Sequence, residues 1–453
     1  MSEGAGANLK EGGLHAPLRH PLDWKNPDFY DEEKLDAELR RVFDICHGCR
    51  RCFNLCESFP TLFDLIDESQ SGELDTVQSE GFKEVADNCT LCDLCFMTKC
   101  PYVPPHEFDL DFPHLMLRYK AVEQKKGETS WISGQLSETD RNGKIASVAP
   151  GLVNWANHRD NKYTRPILEK VAGIDSRTEI PQFHGKTFLL RAQDEKIVIN
   201  TTAPAYGRKA VLYATCFVNY NNPDLGMTAR RLLAHFGIET EVVYPGCCGM
   251  PQFEQGRLPQ VATSAQGISE AMKPWIDLGY DIVALVPSCA LMMKFEWPLL
   301  LPENGTIQKL AESTLDLSEY IMTLQKSEGL PAPVNAISDP VTLHIACHAR
   351  AQNMGRKAEE MLKLIPEIQL NVIERCSGHG GTWGFMKEHY EVALKVGKPV
   401  AQEALKYQPA VVTSECPLAA THIAQGLEVL EPSQGLMPTQ HPLEILARAY
   451  GVL

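Results

Sequence analysis

The chain has 453 residues, too many for one compact core, and its length predicts about three domains. Its net charge of −15 at pH 7 excludes the basic surface needed to bind nucleic acid phosphates and favours basic docking partners. No apolar run approaches the roughly 18 residues needed to cross a bilayer, and the first residues lack the features of a secretory signal, so we expect a cytoplasmic protein.

Fifteen cysteines dominate the chemistry of the chain. Their odd number and the expected lack of a secretory signal argue against a disulfide framework, which belongs to oxidising compartments. All fifteen fall into clusters along the chain, and none stands alone as a stray core thiol. The cysteines therefore favour metal ligation.

The N-terminal part of the chain consists of an arm and two helices that lead into cysteines. Residues 1–30 are rich in Gly, Pro, His and Asp without periodicity, which predicts a flexible arm. Apolar residues at helical spacing predict a first helix that begins near Glu32 and delivers the chain into Cys46. A second helix near 81–85 is expected to do the same for Cys89. Residues 31–119 should form one helical domain.

Two cysteine runs in this domain have the spacing of bacterial ferredoxins, in which three thiolates bind one [4Fe–4S] cluster and the fourth binds the other. The first predicted cluster has the ligands Cys46, Cys49, Cys52 and Cys100, and the second has Cys89, Cys92, Cys95 and Cys56. Glu57 in place of a proline after the first run, and one extra residue before Cys100, affect the loops more than the ligands. Zinc is the alternative, but zinc normally takes two Cys-x2-Cys pairs and not two complete four-cysteine runs.

The stretch 120–207 contains no cysteine, and we interpret it as a connecting segment of short helices and extended pieces. Residues 140–143 are predicted to form polar turns, and residues 165–172 a helix. The residues of this segment indicate no function.

Beyond Arg208, short β-branched strands alternate with helical stretches, which is typical of an α/β domain. This part is also an internal repeat, because three strand-and-cysteine units recur 131, 129 and 127 residues later. The paired cysteines are Cys216 with Cys347, Cys247 with Cys376, and Cys289 with Cys416. We therefore expect an α+β multidomain fold, in which a ferredoxin domain is followed by two α/β modules, 208–330 and 338–453. The cysteines of the modules follow the carboxyl ends of strands, which is where such sheets bind ligands.

The first module offers four thiolates for a metal site, and the second offers three. The candidates are Cys216, Cys247, Cys248 and Cys289 in the first module and Cys347, Cys376 and Cys416 in the second, where Ser377 replaces one thiolate. Adjacent thiolates suit a multi-iron cluster better than one tetrahedral ion, but the type of metal stays open. His348 or His379 is the candidate fourth ligand of the second module, since imidazole suits iron or zinc. The alternative is structural: His344 is a strand residue, and 378–384 is a tight loop.

Four segments carry a resemblance to a known family: CFVNYNNPDLG, GCCGMP, CSGHGGTWGFMKEHY and HPLEILARAY. Nearly the whole chain resembles the C subunit of anaerobic glycerol-3-phosphate dehydrogenase. The doubled Cys-Cys-Gly module is more distantly similar to the B subunit of heterodisulfide reductase and to the iron–sulfur subunit of glycolate oxidase. The resemblance implies an electron carrier between a flavoprotein dehydrogenase and a quinone, attached peripherally to the cytoplasmic face of the inner membrane. The superfamily's module has a fifth cysteine for a noncubane cluster, but Met292 and Ala419 stand there in this chain.

Two classes of function follow. In the first, the chain is an electron-transfer subunit that carries two [4Fe–4S] clusters and one or two further metal sites. Its partner is then a flavoprotein dehydrogenase, a quinone, or another redox protein such as one like rubrerythrin. In the second, a Cys-Cys-Gly module is the catalytic metal site of a reductase for a disulfide, quinone or peroxide-linked substrate. A third alternative is that the second module has lost its metal and serves for docking.

Overall fold

The computed structural model describes residues 17–453, which form two compact units: 17–128 with 254–256, and 129–253 with 257–453. Residues 1–16 of the predicted flexible arm lie outside the described residues. Within the remainder of that arm, the Arg19 guanidinium donates hydrogen bonds to the carboxylates of Asp93 and Asp111. Among the helices of residues 17–453 we find none with the length and apolar character that a membrane crossing needs.

The first unit is built from helices around an aromatic core. The helices are α1 (Glu32–Cys49), α2 (Ser58–Asp67), α3 (Phe82–Asp87) and α4 (Phe112–Lys126). Helix α1 begins as predicted, because the Asp31 side chain accepts a hydrogen bond from the backbone N–H of Lys34 and caps it. The core rings pack closely: the centroids of Phe43 and Phe82 are 5.1 Å apart, edge to face. Two further buried rings, Phe59 and Phe63, lie beside Cys46, Cys49 and Cys52.

The second unit begins with five short helices. They are α5 (Trp131–Leu136), α6 (Thr139–Ala146), α7 (Pro150–Asn157), α8 (Arg165–Ala172) and α9 (Phe188–Asp194). The helix predicted for 165–172 is confirmed, whereas the polar turns predicted for 140–143 are wrong, because these residues lie inside α6. A side chain at Gly143 would place its Cβ 2.2 Å from the Tyr220 ring. Tertiary packing that local sequence does not reveal therefore stabilises this helix.

Two four-stranded parallel sheets form the rest of the second unit, in the strand orders β2-β1-β3-β4 and β6-β5-β7-β8. The first contains β1 (Lys209–Tyr213), β2 (Glu239–Val243), β3 (Asp281–Ala284) and β4 (Thr314–Asp316). The second contains β5 (Pro340–His344), β6 (Gln369–Ile373), β7 (Val411–Ser414) and β8 (Thr439–Gln440). The register also repeats, since Lys209 pairs with Glu239 as Pro340 pairs with Gln369. The predicted repeat and the α+β fold class are confirmed.

Helices connect the strands of both modules. The first module contains α10 (Cys216–Tyr220), α11 (Pro223–His235), α12 (Met250–Phe253), α13 (Leu258–Asp277), α14 (Pro287–Leu291), α15 (Trp297–Leu300), α16 (Gly305–Ser313) and α17 (Leu317–Ser327). The second contains α18 (Cys347–Ala351), α19 (Lys357–Leu362), α20 (Tyr390–Lys406), α21 (Pro417–Leu430) and α22 (Pro442–Ala449). Because α10 and α18 start directly after β1 and β5, the first cysteine of each module lies at the carboxyl edge of its sheet.

Candidate metal centres

Four cysteines of the first unit line one cavity. Cys46 and Cys49 occupy the last turn of α1, which ends at Arg50 in a left-handed conformation, with φ of 52°. The chain then folds back so that Cys52, and from a distant loop Cys100, face the same space. The rest of the wall is mostly apolar, with one basic side chain: Phe59, Phe63, Pro101 and Leu110, with Tyr102 and Arg51. The structure thus brings together the set predicted for the first cluster.

The second predicted set is arranged around Cys95, at the start of a single turn of π-helix, Cys95–Lys99. Burial raises the pKa of the Cys95 thiol well above its usual value, and the nearby thiolates add to this effect. These neighbours are Cys92, Cys89, Cys52 and Cys56. Cys52 and Cys56 of the first run are thus both close enough to Cys95 to affect its pKa, and the crossed assignment of Cys56 to the second set stays a prediction.

Burial, with a contribution from neighbouring thiols, raises the pKa of Cys46, Cys52 and Cys95 in the first unit. The pKa of Cys46 is raised well above its usual value by burial and then by Cys100, Cys52 and Cys49. Burial, and then Cys100 and Cys49, raise the pKa of Cys52 to about 12 against the opposite effect of Lys99 and Arg51. Thiolates in this pocket need a positive counter-charge, which iron ions supply. The donor set and its apolar wall therefore fit an iron–sulfur cluster.

The four cysteines of the first module converge beneath Tyr213, whose buried hydroxyl is close to all of them. The sulfur atoms of Cys216 and Cys247 are 3.7 Å apart. Cys248 interacts through its side chain with Cys247 and Cys289. Trp297 fixes the loop, because its indole N–H donates to the backbone carbonyl of Cys248 at 3.1 Å. The predicted set is thus a compact group of four sulfur atoms.

The pKa values of two thiols in this group, Cys247 and Cys216, are shifted in opposite directions. Hydrogen bonds from Cys216 and Cys248 hold the pKa of the Cys247 thiol well below its usual value. In return, the hydrogen bond to Cys247 and then burial raise the pKa of Cys216 well above its usual value. A cavity of about 290 Å³ opens beside Cys247, and its polar rim includes Glu138, Asp140 and Gln252. Cys247 therefore lines a space that a small molecule can enter.

Sequence reasoning missed the residues that surround this group. Thr139 places its hydroxyl 3.5 Å from the Cys216 sulfur and 3.4 Å from that of Cys247. The next residue, Asp140, accepts hydrogen bonds from the hydroxyls of Tyr220 and Tyr244. In the sequence, a Thr-Asp pair at the start of a helix indicates only a cap. No local signal links it to cysteines 77 and 108 positions away.

The second module places its three cysteines at the ends of three neighbouring strands. Cys347 follows β5, Cys376 follows β6, and Cys416 caps α21 after β7. Burial raises the pKa of the Cys376 thiol, and the backbone N–H of Gly378 donates to its sulfur at 3.4 Å. Ser377 is buried at the position that corresponds to Cys248. The module thus has the scaffold of the first with one thiolate fewer.

The histidines of the second module fall into two groups. His344 is a strand residue whose ring nitrogens both have protein partners, the Ser414 hydroxyl and the Arg375 carbonyl. His379 and His422 instead each bury one ring nitrogen without a hydrogen-bond partner, and their ring centroids are 6.3 Å apart. His348 lies near His379. The sequence prediction named His348 and His379 as candidates. It did not identify His422, a residue of α21 whose ring lies near that of His379.

The described residues contain no preformed site for a single metal ion. Within 17–453, no three His, Cys, Asp or Glu side chains are grouped closely enough to hold one ion. All fifteen cysteines are free thiols. A four-iron cluster binds each thiolate to a different iron, so its ligands surround a volume and do not meet at one point.

The loop after Cys376 depends on a glycine. Gly378 has φ of +80°, and a Cβ there would lie 2.0 Å from the carbonyl oxygen of Ala393 in α20. We expect Gly378→Ala to lower the free energy of unfolding of the second unit by about 3 kcal/mol or more, measured by chemical denaturation. Gly279→Ala is the matched control, since Gly279 has φ of +78° and no atom near its Cβ position, and should cost about 1 kcal/mol. Equal losses would contradict this packing argument.

Buried neutral histidines make the second unit sensitive to acid. Burial lowers the pKa of both His344 and His441 to about 4. The unfolded chain binds these protons near pH 6.5, so stability falls as the pH drops below that value and levels off below about 4. At pH 5 each histidine should cost about 2 kcal/mol. The free energy of unfolding, measured by chemical denaturation at several pH values, should fall less between pH 7 and pH 5 in His344→Gln than in wild type. The exposed control His158→Gln should behave like wild type.

Comparison with known proteins agrees with the repeated scaffold. Residues 210–294 and 341–424 each match the family of the cysteine-rich domain, so the chain carries two such domains. This finding confirms the two Cys-Cys-Gly modules.

Relatives resemble larger parts of the chain. It is 26% identical over 320 residues to the C subunit of anaerobic glycerol-3-phosphate dehydrogenase of Escherichia coli, covering 69% of this chain and 76% of the relative. It is 25% identical over 398 residues to the B subunit of fumarate reductase (CoM/CoB) of Methanothermobacter marburgensis, covering 84% and 76%. It is 23% identical over 327 residues to the D subunit of dihydromethanophenazine:CoB–CoM heterodisulfide reductase of Methanosarcina acetivorans, covering 68% and 76%. The resemblance inferred from the four segments is confirmed, and all three relatives are subunits of oxidoreductases.

Proposed function

We propose that the chain is an iron–sulfur electron-transfer subunit of an oxidoreductase complex. Its first unit would hold two [4Fe–4S] clusters, and its first cysteine-rich domain a further iron–sulfur or metal group. The observation that carries the proposal is the convergence of Cys46, Cys49, Cys52 and Cys100 on one apolar cavity. Burial disfavours the thiolate forms of Cys46 and Cys52, so a bound cationic group would stabilise them.

The residues of the first unit would bind the clusters and exclude water from them. When bound, an iron–sulfur cluster supplies one-electron oxidation and reduction. Phe59 and Phe63 cover the first set of thiolates, which limits the solvent access that helps to set a cluster's potential. Cys52 lies near Cys95, so the two sets adjoin. This closeness suits transfer of single electrons between them.

The second module is the less complete site. Cys347, Cys376 and Cys416 would need a fourth donor, and His348 or His379 is proposed, with His422 as a new candidate. Its unpartnered ring nitrogen is buried, and its other nitrogen is engaged with the Ala393 backbone. Metal-binding histidines commonly donate their second N–H to a backbone carbonyl in this way.

The proposed partner is a second subunit that exchanges electrons with these centres. Each of the three relatives is named as a subunit of a dehydrogenase or reductase. A flavoprotein dehydrogenase, a quinone, or a redox protein like rubrerythrin is therefore proposed as donor or acceptor. Location in the cytoplasm, with peripheral attachment to the inner membrane, stays a prediction of the sequence and its resemblance.

The cavity beside Cys247 favours a second candidate function, a reductase whose catalytic centre is the first module. A catalytic metal keeps an open position for substrate, and this cavity would give access to one. Turnover of a small disulfide or quinone that Cys247→Ala abolishes, while the spectra of the first unit persist, would support this function. Turnover retained by that variant would count against it.

Metal and sulfide analysis of anaerobically purified protein tests the main proposal. About eight irons per chain are expected for the first unit alone, and more if a module is occupied. Visible absorption should show the broad sulfur-to-iron charge-transfer bands. A chain without iron and without these bands would refute the proposal.

A further inference from the structure

Residues 137–146 of the connecting segment close over the sulfur group of the first module. Thr139, the first residue of α6, has its hydroxyl oxygen 3.5 Å from the sulfur of Cys216 and 3.4 Å from that of Cys247. Both distances are suitable for a hydrogen bond to sulfur, which is larger than oxygen. The hydroxyl carries one proton, which it can donate to one of the two sulfur atoms at a time. Thr139 is thus the donor that this segment presents to the candidate ligands.

Asp140 fixes the position of Thr139. Its carboxylate oxygen accepts hydrogen bonds from the hydroxyls of Tyr220 at 2.9 Å and Tyr244 at 2.8 Å. These tyrosines belong to the same structural elements as the thiols, since Tyr220 ends the helix that Cys216 begins and Tyr244 lies three residues before Cys247. The clamp therefore ties the hydroxyl of Thr139 to the sulfur atoms with little freedom.

Further contacts hold residues 137–146 close to the first module. Helix α6 packs so tightly on Tyr220 that a Cβ at Gly143 would lie 2.2 Å from its ring. On the other side of Thr139, the backbone carbonyl of Ser137 accepts a buried hydrogen bond from the Gln252 side chain at 2.7 Å. Gln252 lies just beyond the Cys-Cys-Gly turn. Contacts on both sides of Thr139 therefore hold the segment against the module.

We propose that Thr139 raises the reduction potential of the group held by Cys216 and Cys247, and that Asp140 positions it. The inference rests on the proposed function, because it needs an iron–sulfur or metal group in this module. An added electron places more negative charge on the sulfur ligands, so a hydrogen bond to them is stronger in the reduced state. The hydroxyl keeps its proton throughout, and its effect is purely electrostatic.

The test compares two substitutions of nearly equal size but different chemistry. Thr139→Val keeps the shape of the side chain and removes the hydroxyl, whereas Thr139→Ser keeps the hydroxyl and removes a methyl group. Anaerobic redox titration, followed by electron paramagnetic resonance, should give a lower potential for the module's group in Thr139→Val. Thr139→Ser should remain close to wild type. The clusters of the first unit provide an internal reference whose potentials should not move.

Iron content separates the outcomes. An unchanged potential in Thr139→Val with full iron content would overturn the role of Thr139 alone. An equal shift in Thr139→Ser would also overturn it, since the missing hydroxyl would then not be the cause. If wild-type protein has no redox group beyond those of the first unit, both the occupancy of the module and this inference fail. A shift confined to Thr139→Val supports both.

Discussion

Replacing Cys56 with alanine is expected to remove the cluster held by the second cysteine run and to spare the cluster held by the first. Cys56 ends the first run in the sequence, yet its charge, like that of Cys52, contributes to raising the pKa of Cys95 in the second run. Loss of one thiolate leaves a cluster iron without its protein ligand, and three thiolates then hold the group less firmly. We expect the variant to lose about four irons of roughly eight in the first unit.

Cys100→Ala is the reciprocal control. Cys100 ends the second run but shares a cavity with Cys46, Cys49 and Cys52, so its loss should remove the other cluster. The two variants should have similar iron content and different electron paramagnetic resonance spectra, because each retains a different cluster. Spectra that coincide, or a Cys56→Ala protein that retains the signal missing from Cys89→Ala, would contradict the crossed arrangement.

The first unit of the fold is largely predictable because its information is local. Helix α1 could be placed from its apolar spacing, and the cysteine runs fix their own loops. What supports those loops comes from elsewhere in the chain. Arg19, within the arm expected to be flexible, binds both Asp93 and Asp111, and Asp93 is itself buried between two cysteines of the second run. An ion pair between residues 74 positions apart leaves no pattern in the sequence.

In the modules, periodicity predicted the scaffold but not the contacts around the sulfur atoms. Six of the eight strands follow from β-branched runs that end in cysteines, whereas β4 and β8 have three and two residues and are too short to give a signal. Thr139 lies near Cys216 and Cys247, and His422 lies near His379, only because the fold brings distant helices together. Sequence therefore predicts the candidate ligands better than it predicts the residues packed around them.

Replacing Cys248 with alanine is expected to empty the first module of its metal group. This thiol is buried, with 2% of its surface exposed, and it forms side-chain hydrogen bonds with both Cys247 and Cys289. Only three thiolates would remain to hold the group. We therefore expect loss of all metal above the iron of the first unit, measured by elemental analysis, and loss of the corresponding redox signal.

Ser377→Ala is the matched control, because Ser377 occupies the equivalent position in the second module and is also buried. Alanine there removes a hydroxyl but no thiolate, so metal content and redox signals should equal those of wild type. Ser377→Cys tests the same argument in reverse: a second thiolate beside Cys376 should increase the metal bound by the second module. Loss of metal from Ser377→Ala would contradict this argument. The serine would then itself be a ligand, and the second module would have a donor at this position.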